Sequence, residues 1–207
     1  VQPPLATFLE QVLATAQAGL TYSQDPFDIA RFEALRNAAA TLIASQSELD
    51  HEAIAHWIAL DSGYPTPKLD VRALILDDAG RLLLVQERSD GLWTLPGGWC
   101  DIGESPAGAV VREVVEETGL ECRAVQLLAL FDKLKHPHPP QLPHAHKAFF
   151  LCEVTGGVLL TETDETRGAA YFPIDALPPL SRHRVVESQL RCLHDHVRQG
   201  RRHTLFD

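Results

Sequence analysis

Residues Gly98 to Leu120 read GWCDIGESPAGAVVREVVEETGL, and the spacing of three glutamates in that stretch decides the fold. Ser105 is a residue type that caps helix N-termini, Pro106 suits the first helical position, and Gly119 suits a left-handed close, so the stretch predicts a helix over 106–118. At about 100° per residue, Glu113, Glu116 and Glu117 fall within one arc of about 100°, while Val111, Val114, Val115 and Thr118 point the other way. The expected helix has a core face and a carboxylate face. Like charges at these spacings destabilise an isolated helix by roughly a few tenths of a kcal/mol per pair, a cost that a bound cation removes. Oxygen-only ligands select a hard ion, so Mg2+ or Mn2+ is expected, with water and a phosphate group completing its shell.

Taken together, Gly98, Glu104, Arg112, Glu113, Val114, Glu116, Glu117, Gly119 and Leu120 resemble the signature of the Nudix hydrolases. A solvated, glutamate-rich helix face is the plainer reading, but it does not require so many fixed positions. The resemblance implies attack of water on a diphosphate phosphorus with the help of a divalent cation. It also implies that Glu113, Glu116 and Glu117 are metal ligands, joined by the Gly97 carbonyl. Arg112 becomes the partner that orients the glutamates, and Glu104 a supporting acid. The general base varies within the family; Glu165 is the candidate here, with Glu162 or Asp164 beside it.

Outward from the box, residues 71–76 and 81–86 read as strands about the turn Asp77-Asp78-Ala79-Gly80, which is a hairpin signal. Residues 92–95, 122–133, 145–154 and 168–173 continue the β pattern, and Val185, Val186, Leu190, Leu193 and Val197 suggest a last helix. Strands flanked by helices give an α+β fold, and the resemblance makes it an α/β/α sandwich with a mixed β-sheet. Residues 1–62 differ in kind. Leu5, Phe8, Leu9, Val12, Leu13 and Ala16 recur at helical spacing, Asp25 and Pro26 read as cap and first residue of a second helix, and a third is expected over Asp50–Leu60. The Pro-Gly punctuation of Ser62–Pro67 divides this all-helical domain, 1–62, from a catalytic domain, 63–207. Such short helices bury little core, so the extension is expected to pack on the catalytic domain or to build a homodimer.

A formal charge of −10 over 207 residues opposes sequence-independent binding to long nucleic acid, which needs a basic stripe. The apolar runs are far shorter than a membrane span and no start-of-chain signal pattern is seen, so no membrane partner and a cytoplasmic location are expected. Cys100, Cys122, Cys152 and Cys192 form no CxxC pair and read as free thiols.

Several stretches outside the box resemble one Nudix branch, whose members carry a helical extension and hydrolyse nucleoside diphosphates linked to another group, such as CDP-choline or ADP-ribose. They are Gly19–Tyr22 with Asp25, Phe27 and Asp28, then Gly63–Arg72, Asp90–Trp99, His136–Pro140 and Lys147–Cys152. Hydrolysis of nucleoside triphosphates or dinucleoside polyphosphates, and nucleotide binding without turnover, are the alternatives. Trp93, Trp99, Tyr22 and Phe131 are candidates to stack on a base, and Arg72, Arg88 and Lys133 to reach phosphate oxygens. His136, His138, His144 and His146 lie in the run HPHPPQLPHAH; this spacing is unlike a structural zinc site, and a substrate-covering loop is expected instead.

Overall fold

The computed structural model describes residues 5–45, 58, 63–139 and 143–207. Its contacts divide the chain into two compact units on either side of the Pro67–Lys68 peptide.

In the first unit, α1 (Leu5–Tyr22) and α2 (Pro26–Ser45) form a helical hairpin. Asp25 caps α2 as its sequence suggests: its Oδ1 accepts from the Phe27 and Asp28 amides at 2.8 and 3.1 Å. Gly19 lets the helices approach, since a Cβ there would lie 2.4 Å from the Phe32 ring. The expected third helix falls, Ile58 apart, outside the described residues.

The second unit is built on seven strands, β1 (Lys68–Leu74), β2 (Leu82–Glu87), β3 (Trp93–Thr94), β4 (Leu120–Asp132), β5 (Ala145–Gly157), β6 (Thr166–Phe172) and β7 (Leu205–Phe206). They form a mixed sheet ordered β1-β5-β4-β7 and an antiparallel one ordered β3-β2-β6. The helix α3 (Pro106–Thr118) and the helix α4 (Glu187–Arg198) complete the sandwich. Successive strand residues point to opposite faces. Val71, Ala73, Leu83, Val85, Ala148 and Phe150 thus join Ala109, Val110 and Val114 of α3 in one core, while Leu74, Leu82, Leu84 and Phe149 join Leu190 and Leu193 of α4 in the other.

The turn at 77–80 forms, with the Gly80 amide donating to the Asp77 carbonyl at 2.8 Å. The strands flanking it do not make the expected hairpin ladder. They touch at the Leu76–Leu82 bridge and then part, β1 to run parallel to β5 and β2 to pair with β3 and β6. The physical reason is burial on both faces: Val71 through Ile75 and Leu82 through Val85 are all buried, as suits strands shared between two cores. No described helix is long and apolar enough to cross a membrane.

Candidate active site

Helix α3 begins and ends where its caps require. Ser105 Oγ accepts from the Gly108 amide at 3.1 Å, Pro106 opens the helix, and Gly119 closes it at φ 72° with its amide donating to Val115. Its buried face differs from the expected one: Glu113 and Glu117 are 7% and 5% exposed, whereas Val115 is 44% exposed. The segment Pro96–Cys100 is responsible. It runs along the edge of β1, with the Val71 and Ala73 amides donating to the Gly98 and Pro96 carbonyls at 2.8 Å each, and covers the helix side that carries both glutamates. Gly97 admits no side chain, and Gly98 admits one only if the end of Glu113 moves. A Cβ on Gly97 would lie 2.0 Å from the Val71 carbonyl oxygen, and one on Gly98 would lie 2.7 Å from Glu113 Oε1.

Arg112 is the hub of the carboxylates. Its Nε and Nη2 hold both Glu104 oxygens at 2.9 and 3.0 Å, and Nη1 reaches Glu113 at 3.0 Å and Glu116 at 2.7 Å. The planar fork of a guanidinium matches such a task. Those bonds keep the Glu104 carboxyl below its usual range. Glu113 is pushed the other way by burial, despite the Arg112 charge beside it. Glu117 is pushed up to about 8 by burial, which outweighs the Arg72 charge and the bond it accepts from the Gly97 amide at 2.8 Å.

Glu165 arrives from a distant part of the chain. The Thr166 hydroxyl donates to the Glu117 carbonyl at 2.9 Å, and Thr163 accepts from the Glu165 and Thr166 amides, so the turn between them is pinned to the end of α3. One carboxylate oxygen each from Glu113, Glu116 and Glu165 then lies within 4.8 Å of the others. This all-oxygen set fits a hard divalent cation, whose ligands stand about 2.0–2.1 Å from the metal. Glu117 stands apart from that trio, turned to Gly97.

The other candidates fare unevenly. Arg72 is buried beside Glu117, but two of its nitrogens hold Asp70 at 2.9 Å and a third donates to the Leu95 carbonyl. Arg88 is spent on Glu162 and the Thr163 carbonyl. Trp93 packs edge-on against Phe172, with ring centres 4.7 Å apart. Trp99 is half exposed at the box, and its carbonyl lies 3.4 Å from Arg112. Tyr22 belongs to the first unit, where it faces Tyr64. Lys133 is buried just after β4. Glu162 and Asp164 adjoin the pinned turn without entering the carboxylate trio.

Sequence reasoning did not single out Lys147 and Asp70 as site residues. Lys147 is almost fully buried and donates to Asp70 at 2.7 Å, beside Arg72. Burial pulls its ammonium down to about 8. The available signal was a lysine heading the apolar run 147–152 and an aspartate set between Leu69 and Val71.

Comparisons with known proteins show the family. The family model described as "NUDIX domain" matches residues 66–194, and one described as "UDP-X-like, N-terminal oligomerisation domain" matches residues 3–58. A Bacillus subtilis protein named "Putative ADP-ribose pyrophosphatase YjhB" is 46% identical over 198 residues, covering 96% of this chain and 94% of its own. The crystal structure of an ADP-ribose pyrophosphatase from Streptococcus suis is 42% identical with a TM-score of 0.61, covering 69% of this chain and 100% of that one. That of a UDP-X diphosphatase is 35% identical with a TM-score of 0.64, covering 97% of each. Nudix enzymes typically use a divalent metal and nucleotide substrates, and an oligomerisation domain implies self-association. With the box, its carboxylate trio and these matches in hand, the chain belongs to the Nudix family, as a hydrolase of the pyrophosphatase type.

Proposed function

We propose that this enzyme, with Mg2+ or Mn2+, cleaves a nucleoside diphosphate linked to another moiety, of the ADP-ribose or CDP-choline type, into a nucleoside monophosphate and a phosphorylated moiety. The convergence of Glu113, Glu116 and Glu165 carries the reading. The relatives named for ADP-ribose and UDP-X support a diphosphate substrate over a triphosphate.

In this account Glu113 and Glu116 hold the cation, and Glu117, turned to the Gly97 amide, joins them with the Gly97 carbonyl on rotating its carboxylate. When bound, the cation neutralises the diphosphate and acidifies the attacking water. Arg112 keeps the Glu104, Glu113 and Glu116 carboxylates in place, and Glu165 takes the proton from water. Arg72 keeps positive charge beside Glu117, its nitrogens being held by Asp70 and the Leu95 carbonyl, and Trp99 offers an exposed ring to the base. Glu165→Gln keeps the size of the side chain and removes its basicity. A loss of about 100-fold or more in Mg2+-supported turnover is expected; wild-type turnover would overturn the role.

Residues 1–62 are taken as the domain that builds a homodimer and 63–207 as the catalytic one. Leu5, Phe8, Phe27, Leu35 and Leu42 are exposed apolar side chains on α1 and α2, which suits a face covered by a second copy. Sedimentation of the full chain at micromolar concentration is expected to give a dimer, and a monomer would contradict it.

A further inference from the structure

Two of the four loop histidines turn out not to belong to the loop. His144 directly precedes β5, and its carbonyl continues the pairing with β1 by accepting from the Lys68 amide at 3.0 Å. His146 lies two residues on, so both imidazoles leave the same face of one extended strand. Asp132, the last residue of β4, is the cross-strand partner of His146. Side chains so paired have their Cβ atoms about 4.5–5.5 Å apart. The result is compact: a carboxylate oxygen of Asp132 and one ring nitrogen each of His144 and His146 lie within 4.8 Å of one another, all three half-buried. His144 Nε2 stands 2.8 Å from Asp132 Oδ1, and the two rings meet edge to face with centres 5.4 Å apart.

We propose that Asp132, His144 and His146 form a second metal site, for a borderline divalent ion such as Zn2+, at the neck where β4 and β5 are joined. Two imidazoles and one carboxylate suit such an ion, whereas the oxygen-only box suits Mg2+. Tetrahedral zinc, with bonds of about 2.0–2.2 Å, sets neighbouring ligand atoms about 3.3 Å apart. The donors lie close enough to reach that spacing by side-chain rotation, with the Asp132–His144 hydrogen bond exchanged for two metal bonds. A coordination position remains for water. The ion cross-links residues 12 apart in sequence, so its expected effect is to hold the ends of the connection together.

The test uses the full chain carrying Glu113→Gln and Glu116→Gln, which disables the box. Titration with Zn2+ in millimolar Mg2+ is expected to give one bound equivalent and a higher Tm. Adding His146→Ala, or the gentler His146→Gln, is expected to weaken binding at least tenfold and to abolish the rise in Tm. X-ray absorption at the zinc edge of the box variant gives a readout free of further substitution: a nitrogen and oxygen shell with outer scattering from two imidazoles. Absence of a bound equivalent, equal binding after either His146 substitution, or a shell without imidazole would overturn the site.

Discussion

The Gly97 amide donates to the buried Glu117 carboxylate at 2.8 Å, which ties the glycine turn to the catalytic helix through a group that would otherwise avoid burial. Without a cation that carboxyl binds its proton up to about pH 8. Glutamine keeps an oxygen that accepts the Gly97 bond but cannot become an anionic ligand. Glu117→Gln is therefore expected to lose about 100-fold or more in turnover while its Tm in EDTA stays at or above that of the parent. Parallel assays and melts check this; a much lower Tm would show that the ionised carboxylate supports the metal-free fold.

Arg112→Lys separates orientation from charge. An ammonium cannot grip both Glu104 oxygens and still reach Glu113 and Glu116, as the guanidinium does. Turnover is expected to fall about 10- to 100-fold, the range seen when partners of metal ligands are removed. A Mg2+ titration is expected to show a higher cation requirement, whereas an unchanged one would deny Arg112 its positioning role.

The two glycines of the turn are expected to respond differently to alanine. At Gly97 the new methyl meets the β1 backbone, at a φ of 141° that disfavours side chains, so Gly97→Ala is expected to cost on the order of 2–5 kcal/mol. At Gly98 it meets only the movable end of Glu113. Gly98→Ala is expected to fold, with activity reduced by the displaced carboxylate. Denaturant melts and assays on both variants distinguish these outcomes.

Much of this site was legible in the sequence because it is local. Ser105, Pro106 and Gly119 bracket α3 by capping chemistry that acts within one turn, and the Glu-Arg-Glu spacing follows from helical periodicity. The burial of Glu113 and Glu117 was not legible, because it depends on Gly97 and Gly98 lying along β1. The partner of β1 was hidden for the same reason: its pairing with β5 joins residues 77 apart, as the Asp70–Lys147 contact shows. Periodicity along one strand cannot name the strand beside it. His144 and His146 read as loop residues until the Lys68 bond of the one and the Asp132 register of the other placed them at a sheet.

The Asp70 cluster gives a pH prediction. Burial alone would raise the Asp70 carboxyl, yet the Arg72 and Lys147 charges overcome it and hold the group at about 2, below its ordinary 3.8. The unfolded chain then binds more protons than the folded one between those values. The stability that Asp70 contributes is complete above about pH 4 and is lost as pH falls through about 2, on the order of 2 kcal/mol in all. Asp70→Asn is expected to flatten this acid limb. It also leaves two buried cations without their carboxylate, at a cost of about 3–5 kcal/mol at neutral pH. Denaturant melts from about pH 2 to about pH 7 on both proteins check the sign.

Product analysis across ADP-ribose, CDP-choline, a UDP-sugar and several nucleoside triphosphates, each with Mg2+, decides the substrate class. At least one diphosphate-linked compound is expected to be converted rapidly to a nucleoside monophosphate and a phosphorylated moiety. Turnover confined to triphosphates, with release of pyrophosphate, would contradict it.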